Sequence, residues 1–231
     1  MEDALFGFSQ KTDYPIKRNI DACPLTRVGK TQVLIAIKSL PSNRERRETL
    51  RATWLNKTYW PANYEIHPIF ITGVEDGHLL ADDERDVLQL DFAENHYNLV
   101  YKDHALFRYF SRHCNHVDFV FKGDDDIFLV PDNLVFQIEA LKRQPDFSMF
   151  GCVKSDDTPI VNPIYKYFCP KSLYNKKTFH SYFSGAGYVL GHGTFCTVVT
   201  RQIIQSKFFP FSALFKIRLT KLDVKLPVSR K

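Results

Sequence analysis

Lys122-Gly123-Asp124-Asp125-Asp126 sets three adjacent carboxylates directly behind the apolar stretch Val117 to Phe121. Neighbouring negative charges repel unless a cation neutralises them. Two carboxylates at a strand end suit a hard divalent ion that keeps positions open for phosphate oxygens. In an extended segment Asp124 and Asp126 fall on one side, because side chains alternate with a period of two. The carboxyl end of a strand is also where open α/β sheets take their ligands. The plain alternative is a solvated turn around Gly123, against which the apolar runs on both sides of the acids weigh.

The elements expected to position this cluster follow from hydrophobic period. Val33-Leu34-Ile35-Ala36-Ile37 is a continuous apolar run of strand length, as a doubly covered parallel strand requires. Ile66 to Ile71, Val87 to Phe92 and Val117 to Phe121 read as further strands. Between them, Ser42-x-x-Glu45 has the form of a capping box opening a helix from Asn43 to about Trp54. Arg47, Leu50, Arg51 and Trp54 lie along one side of that helix, and Trp54 is assigned to the core. Leu99 to Arg112 is a second helix, and Asp132 is the expected N-cap of a third, Asn133 to Lys142. Strands alternating with helices predict an α/β layered domain with a largely parallel central sheet. Residues 1–30 read as a polar approach segment, and residues 31–231 as one domain.

A chain of 231 residues can bury a sizeable core, roughly 70% of its unfolded surface. Hydrophobic content of 44% and charge of 25% exclude default disorder. The net charge of +5 is scattered, which argues for a solvated surface rather than a nucleic-acid face and stays compatible with small anions. No apolar run reaches the roughly eighteen residues needed to span a bilayer. The five cysteines, Cys23, Cys114, Cys152, Cys169 and Cys196, are widely spaced, which argues against zinc and leaves room for up to two disulfides.

Phe-Val-Phe-Lys-Gly-Asp-Asp-Asp-Ile-Phe, residues 119–128, resembles the metal-binding motif of the β-1,3-glycosyltransferase family. Other blocks follow the family's order. They are Ala36-Ile37-Lys38-Ser39 with Arg46 to Trp54, then Tyr97-Asn98-Leu99 with Lys102, then Lys166-Tyr167-Phe168 with Pro170, and Ser184 to Val189. Lys-Gly before the acids resembles the N-acetylglucosaminyl branch more than the galactosyl branch.

The resemblance implies a GT-A-like, Rossmann-type nucleotide-sugar domain. It also implies inverting transfer from UDP-N-acetylglucosamine or a related UDP-sugar to a glycan ending in galactose. Mn²⁺ or another divalent cation is the implied cofactor, held by Asp124 and Asp126, with Asp125 towards the ribose. Lys38, Arg47 and Arg51 match the nucleotide-side block, where cations suit a diphosphate. For the two arginines a surface helix charge is the alternative. Gly185 and Gly187 would allow backbone approach near the acceptor, or serve packing alone, and Tyr182 would stack on a sugar or be buried. Asn56-Lys57-Thr58 fits the N-glycosylation acceptor pattern.

Two departures bear on function. The family is anchored in the Golgi membrane with its domain in the lumen, and Met1 to Cys23 shows no such anchor. The family also carries Pro-x-[Glu/Asp]-Asp-Val after the glycine-rich block, its second acid being the implied general base. Here Pro210 is followed by Phe211, then Ser212 and Ala213 stand where the acids would be, so the domain is expected to be truncated or altered after about residue 205. A transferase and a catalytically silent nucleotide-sugar-binding or regulatory form are therefore both carried forward. A two-metal phosphohydrolase is disfavoured, because no second carboxylate set completes its site.

Overall fold

The computed structural model describes residues 15–18, 20, 22–24, 29–75, 85–95, 98–143, 149–172 and 174–196. Seven strands form one sheet in the order β1-β4-β3-β2-β5-β7-β6. They are β1 (Ile16–Arg18), β2 (Thr31–Lys38), β3 (Tyr64–Val74), β4 (Val87–Ala93), β5 (Phe119–Asp124), β6 (Met149–Lys154) and β7 (Tyr182–Gly191). The three long helices are α1 (Arg44–Ala52), α2 (Leu99–His113) and α3 (Pro131–Leu141).

The four central strands, β4-β3-β2-β5, are mutually parallel, while β1, β7 and β6 join antiparallel towards the edges. The sheet is thus mixed around a parallel centre, and the expected α/β class holds. β2 is apolar on both faces because both are covered. Val33, Ile35 and Ile37 pack with Leu50 of α1, with Trp54 in the turn that follows it, and with Leu134, Ile138 and Leu141 of α3. Leu34 and Ala36 face the other way, into a core with Leu106, Phe107 and Phe110 of α2. Helices on both faces of one sheet make three layers.

Two helix starts differ from expectation. The N-cap of α1 is Asn43, and no capping box forms. The Ser42 backbone N–H donates to Glu75 instead, and the Asn43 amide is drawn to Asp125. α3 begins one residue before Asp132, at Pro131, with Val130 as cap. Proline's fixed φ and missing N–H suit that first position, and Asp132 sits in the first turn where the helix dipole favours a negative charge. A disulfide joins Cys23 to Cys114 at the end of α2, across 91 residues of sequence. Cys152, Cys169 and Cys196 form no disulfide among the described residues.

The topology fixes where a ligand can enter. From β2 the chain passes through α1 to β3 and then β4 on one side, and α2 carries it back to β5 on the other. Strand order therefore reverses between β2 and β5, and the carboxyl ends of that pair open a crevice.

Candidate functional site

Lys38 ends β2 and Asp124 ends β5, and the two are register partners. Lys38 Nζ lies 2.9 Å from Asp124 Oδ1; the lysine side chain is only 11% exposed, while Asp124 is 39% exposed and faces the crevice. After Asp124 the strand gives way to a turn at 125–126. The two-residue alternation therefore does not extend to Asp126. Asp126 sits on the turn, exposed, with no side-chain hydrogen bond or ion pair among the described residues.

β7 pairs with β5 only up to Gly123↔Gly187, and its first residues overhang the end of β5 to pair with β6. The glycines there separate into two kinds. A Cβ on Gly123 would come within 2.7 Å of Ile127, and one on Gly187 within 2.9 Å of Phe121, so both are needed for packing. A Cβ on Gly185 would meet nothing within 4 Å, which leaves open space on the overhang.

Asp125 points back into the protein. Its Oδ2 accepts from Ser39 Oγ at 2.7 Å and Asn43 Nδ2 at 2.8 Å, and its Oδ1 from Arg46 Nη1 at 3.2 Å. The carboxylate thereby fixes the loop between β2 and α1. Arg47 serves the same loop. It is fully buried and donates to the Leu40 carbonyl at 2.6 Å and the Pro41 carbonyl at 3.2 Å. Lys102, buried on α2, donates to the Ser39 carbonyl at 2.6 Å and pairs with Glu94 at 2.6 Å. Burial pushes the Lys102 pKa down, and the Glu94 carboxylate opposes that. Beneath Asp124, Lys122 pairs with Asp103 at 2.5 Å and donates to the Tyr188 hydroxyl at 3.3 Å. Complete burial, then the Asp103 charge, raise the Tyr188 pKa well above its usual value.

The structure therefore brings Lys38, Asp124, Asp125 and Asp126 to one edge and assigns the expected arginines to other work. Arg51 makes a two-pronged ion pair with Asp86, at 2.9 and 2.6 Å, and stacks over Phe70 at 5.0 Å. Tyr182 is buried, donates to Asp157 and meets Phe179 edge-on; burial and then Asp157 push its pKa up. Ser212 and Ala213 lie outside the described residues. The pattern reading missed Ser39, Asn43 and Arg46 around Asp125. Ser39 and Arg46 lie in the block that carries the family resemblance, whereas the only signal for Asn43 was a loop joining two elements that meet at the crevice. Lys102 was visible in a block that carries the family resemblance, inside the apolar stripe of α2, and Glu94 only as a charge.

The donor set can be tested against a divalent cation. Among the described residues no group of three His, Cys, Asp or Glu side chains could hold a metal. Asp124 and Asp126 are the two carboxylates not consumed by the loop. That set fits an ion taking one or two carboxylates with phosphate oxygens and water completing the shell.

The galactosyltransferase family matches residues 45–226. A Rattus norvegicus protein named UDP-GlcNAc:betaGal beta-1,3-N-acetylglucosaminyltransferase 7 is 31% identical over 202 residues, covering 81% of this chain and 50% of its own. A Mus musculus N-acetyllactosaminide beta-1,3-N-acetylglucosaminyltransferase 4 is 33% identical over 192 residues, 80% of this chain and 54% of its own. A Danio rerio lactosylceramide 1,3-N-acetyl-beta-D-glucosaminyltransferase A is 31% identical over 172 residues, 68% and 45% respectively. The chain thus spans about half the length of these relatives. A family match running from α1 past the last described strand, with relatives at 31–33% identity, makes this chain a member of the galactosyltransferase family.

Proposed function

We propose that the chain binds a UDP-sugar with a divalent cation at the carboxyl edge of β2 and β5, on a GT-A-like domain. The sugar, N-acetylglucosamine, passes to the terminal galactose of a glycan in β-1,3 linkage with inversion at C1. The observation that carries this reading is the Lys38, Asp124 and Asp126 constellation at the switch point, in a family member whose relatives bear β-1,3-N-acetylglucosaminyltransferase names.

Asp124 and Asp126 would hold Mn²⁺ or a similar ion, which when bound polarises the diphosphate as a Lewis acid. The remaining roles belong to the chain itself. The Lys38 ammonium neutralises Asp124 in the free protein and meets the charge that develops on the departing UDP. Asp125 and Arg47 keep the β2–α1 loop in place behind the nucleotide, and Arg46, 54% exposed, adds a cation at its rim. The register of β6 with β7 brings the 155–181 connection out at the same edge, with Ile164, Tyr165 and Tyr167 exposed on it. Those side chains and the open space at Gly185 suit an acceptor sugar. A Golgi lumenal location belongs to this reading, and the Cys23–Cys114 disulfide supports an oxidising compartment. Among the described residues no helix is long and apolar enough to cross a membrane.

Calorimetry with UDP, with and without Mn²⁺, tests the site. Metal-dependent binding that is lost in Asp126→Ala supports it, and equal affinity in both proteins at saturating metal overturns it. A second reading is favoured by Ser212 and Ala213, which stand where the resemblance puts the general base. In that form UDP binds and no sugar is transferred, and a transfer assay beside the calorimetry separates the two.

A further inference from the structure

Asn56-Lys57-Thr58 is the one Asn-x-Ser/Thr triplet in the chain. It follows α1, where Asn56 caps the short 3₁₀ turn Lys57–Tyr59. Asn56 Oδ1 accepts the Thr58 backbone N–H at 3.0 Å and the Thr58 hydroxyl at 2.9 Å. These two bonds fix the orientation of the amide, and Nδ2 makes no hydrogen bond among the described residues. Lys57, Thr58 and Tyr59 are exposed around it, and Lys57 ties the turn to Glu65 at 2.6 Å.

The turn precedes β3, which runs parallel to β2 from the register pair Thr31↔Tyr64. It therefore lies at the amino edge of the sheet. β2 separates it from Lys38 by eight residues, about 25 Å at the usual strand rise. The Cys23–Cys114 disulfide independently points to an oxidising compartment, where N-linked glycosylation takes place.

We infer that Asn56 carries an N-linked glycan on the edge of the sheet opposite the crevice. Asn56 Nδ2 forms the bond to sugar C1 of a polyprenyl-diphosphate-linked oligosaccharide. The C1–O bond to the diphosphate breaks, its electron pair leaves with the lipid diphosphate, and one amide proton is lost to the modifying enzyme. The Thr58 hydroxyl is the group of the acceptor triplet that serine can replace and alanine cannot. A glycan at this edge solvates the turn and leaves the nucleotide crevice open. The inference does not depend on the transferase reading.

The test is expression of the full chain behind a cleavable secretory leader and a tag bearing its own control acceptor triplet. Only chains glycosylated on the tag, and therefore lumenal, are scored. A second glycan, removed by peptide N-glycosidase, is expected on the parent and on Thr58→Ser and absent from Asn56→Gln and Thr58→Ala. Deglycosylation in ¹⁸O-water should leave labelled aspartate at position 56. Lumenal chains carrying the tag glycan alone overturn the inference, whatever their UDP affinity.

Discussion

Lys38 and Asp124 are backbone register partners across the β2–β5 junction, and their side chains close the pair at 2.9 Å. The cation and the carboxylate are therefore placed by the sheet itself rather than by a mobile loop. If a diphosphate takes up the Lys38 ammonium, removing it costs a charge-assisted hydrogen bond, about 1.5–3 kcal/mol. Lys38→Ala should therefore weaken UDP binding by roughly ten- to a hundredfold. Lys38→Arg should retain part of the affinity, and calorimetry reads both.

Asp125 and Asp126 are neighbours with opposite environments, and their substitutions should separate cleanly. Asp126 is exposed and without a partner among the described residues, so Asp126→Asn should change unfolding stability by less than about 0.5 kcal/mol. It should nevertheless abolish the metal dependence of UDP binding. Asp125 receives Ser39, Asn43 and Arg46, and its loss removes the acceptor that holds all three together. Asp125→Ala should cost about 2–4 kcal/mol in urea unfolding, with UDP affinity falling as the loop loosens.

The legibility of the chain follows the same division. β2 and α1 to α3 were readable because burial imposes a hydrophobic period, and Trp54, 2% exposed, was readable as core. β6 was not, because Gly151 and Cys152 interrupt its pattern and the strand exists through pairing with β7. The Asp triplet announced a site but not its internal roles. Those depend on the turn at 125–126, which rotates Asp125 inward and breaks the alternation that would have aligned Asp124 with Asp126. Arg47 and Arg51 look alike in sequence. Only the packing shows that one holds loop carbonyls and the other Asp86.

Acid should weaken the amino edge of the sheet. The Lys57 hydrogen bond, opposed by burial and helped by Lys30, holds the Glu65 carboxyl below its usual range. Lys142 and then Tyr64 lower Glu139 in the same way. A lowered folded-state pKa means the unfolded chain takes the proton first. This stabilisation is full above the ordinary glutamate value, about 4.3, and is lost as pH falls through the depressed one. Glu139 is the more exposed and should contribute less, through screening. The urea midpoint should drop in this window for the parent and drop less for Glu65→Gln.

The Lys102–Glu94 pair is the sharpest test of how the interior supports the crevice. Both side chains are buried, at 1% and 3% exposed, and Glu94 Oε1 also accepts the Gly73 N–H at 2.6 Å. Lys102→Met alone leaves a buried carboxylate without its cation and the Ser39 carbonyl without this donor, a loss of about 3–5 kcal/mol. Adding Glu94→Gln removes the orphaned charge and keeps an acceptor for Gly73. The double variant should therefore be more stable than Lys102→Met alone, and its cost well below the sum of the two single costs. UDP affinity should behave differently. Lys102 fixes the Ser39 carbonyl while the Ser39 hydroxyl faces Asp125, so both variants lacking Lys102 should bind UDP more weakly, and the second substitution should not restore binding. Urea unfolding and calorimetry on the four proteins read the two effects separately. Additive stability losses would show that the pair is not coupled, and affinity recovering along with stability would show that Lys102 supports the fold without positioning the loop.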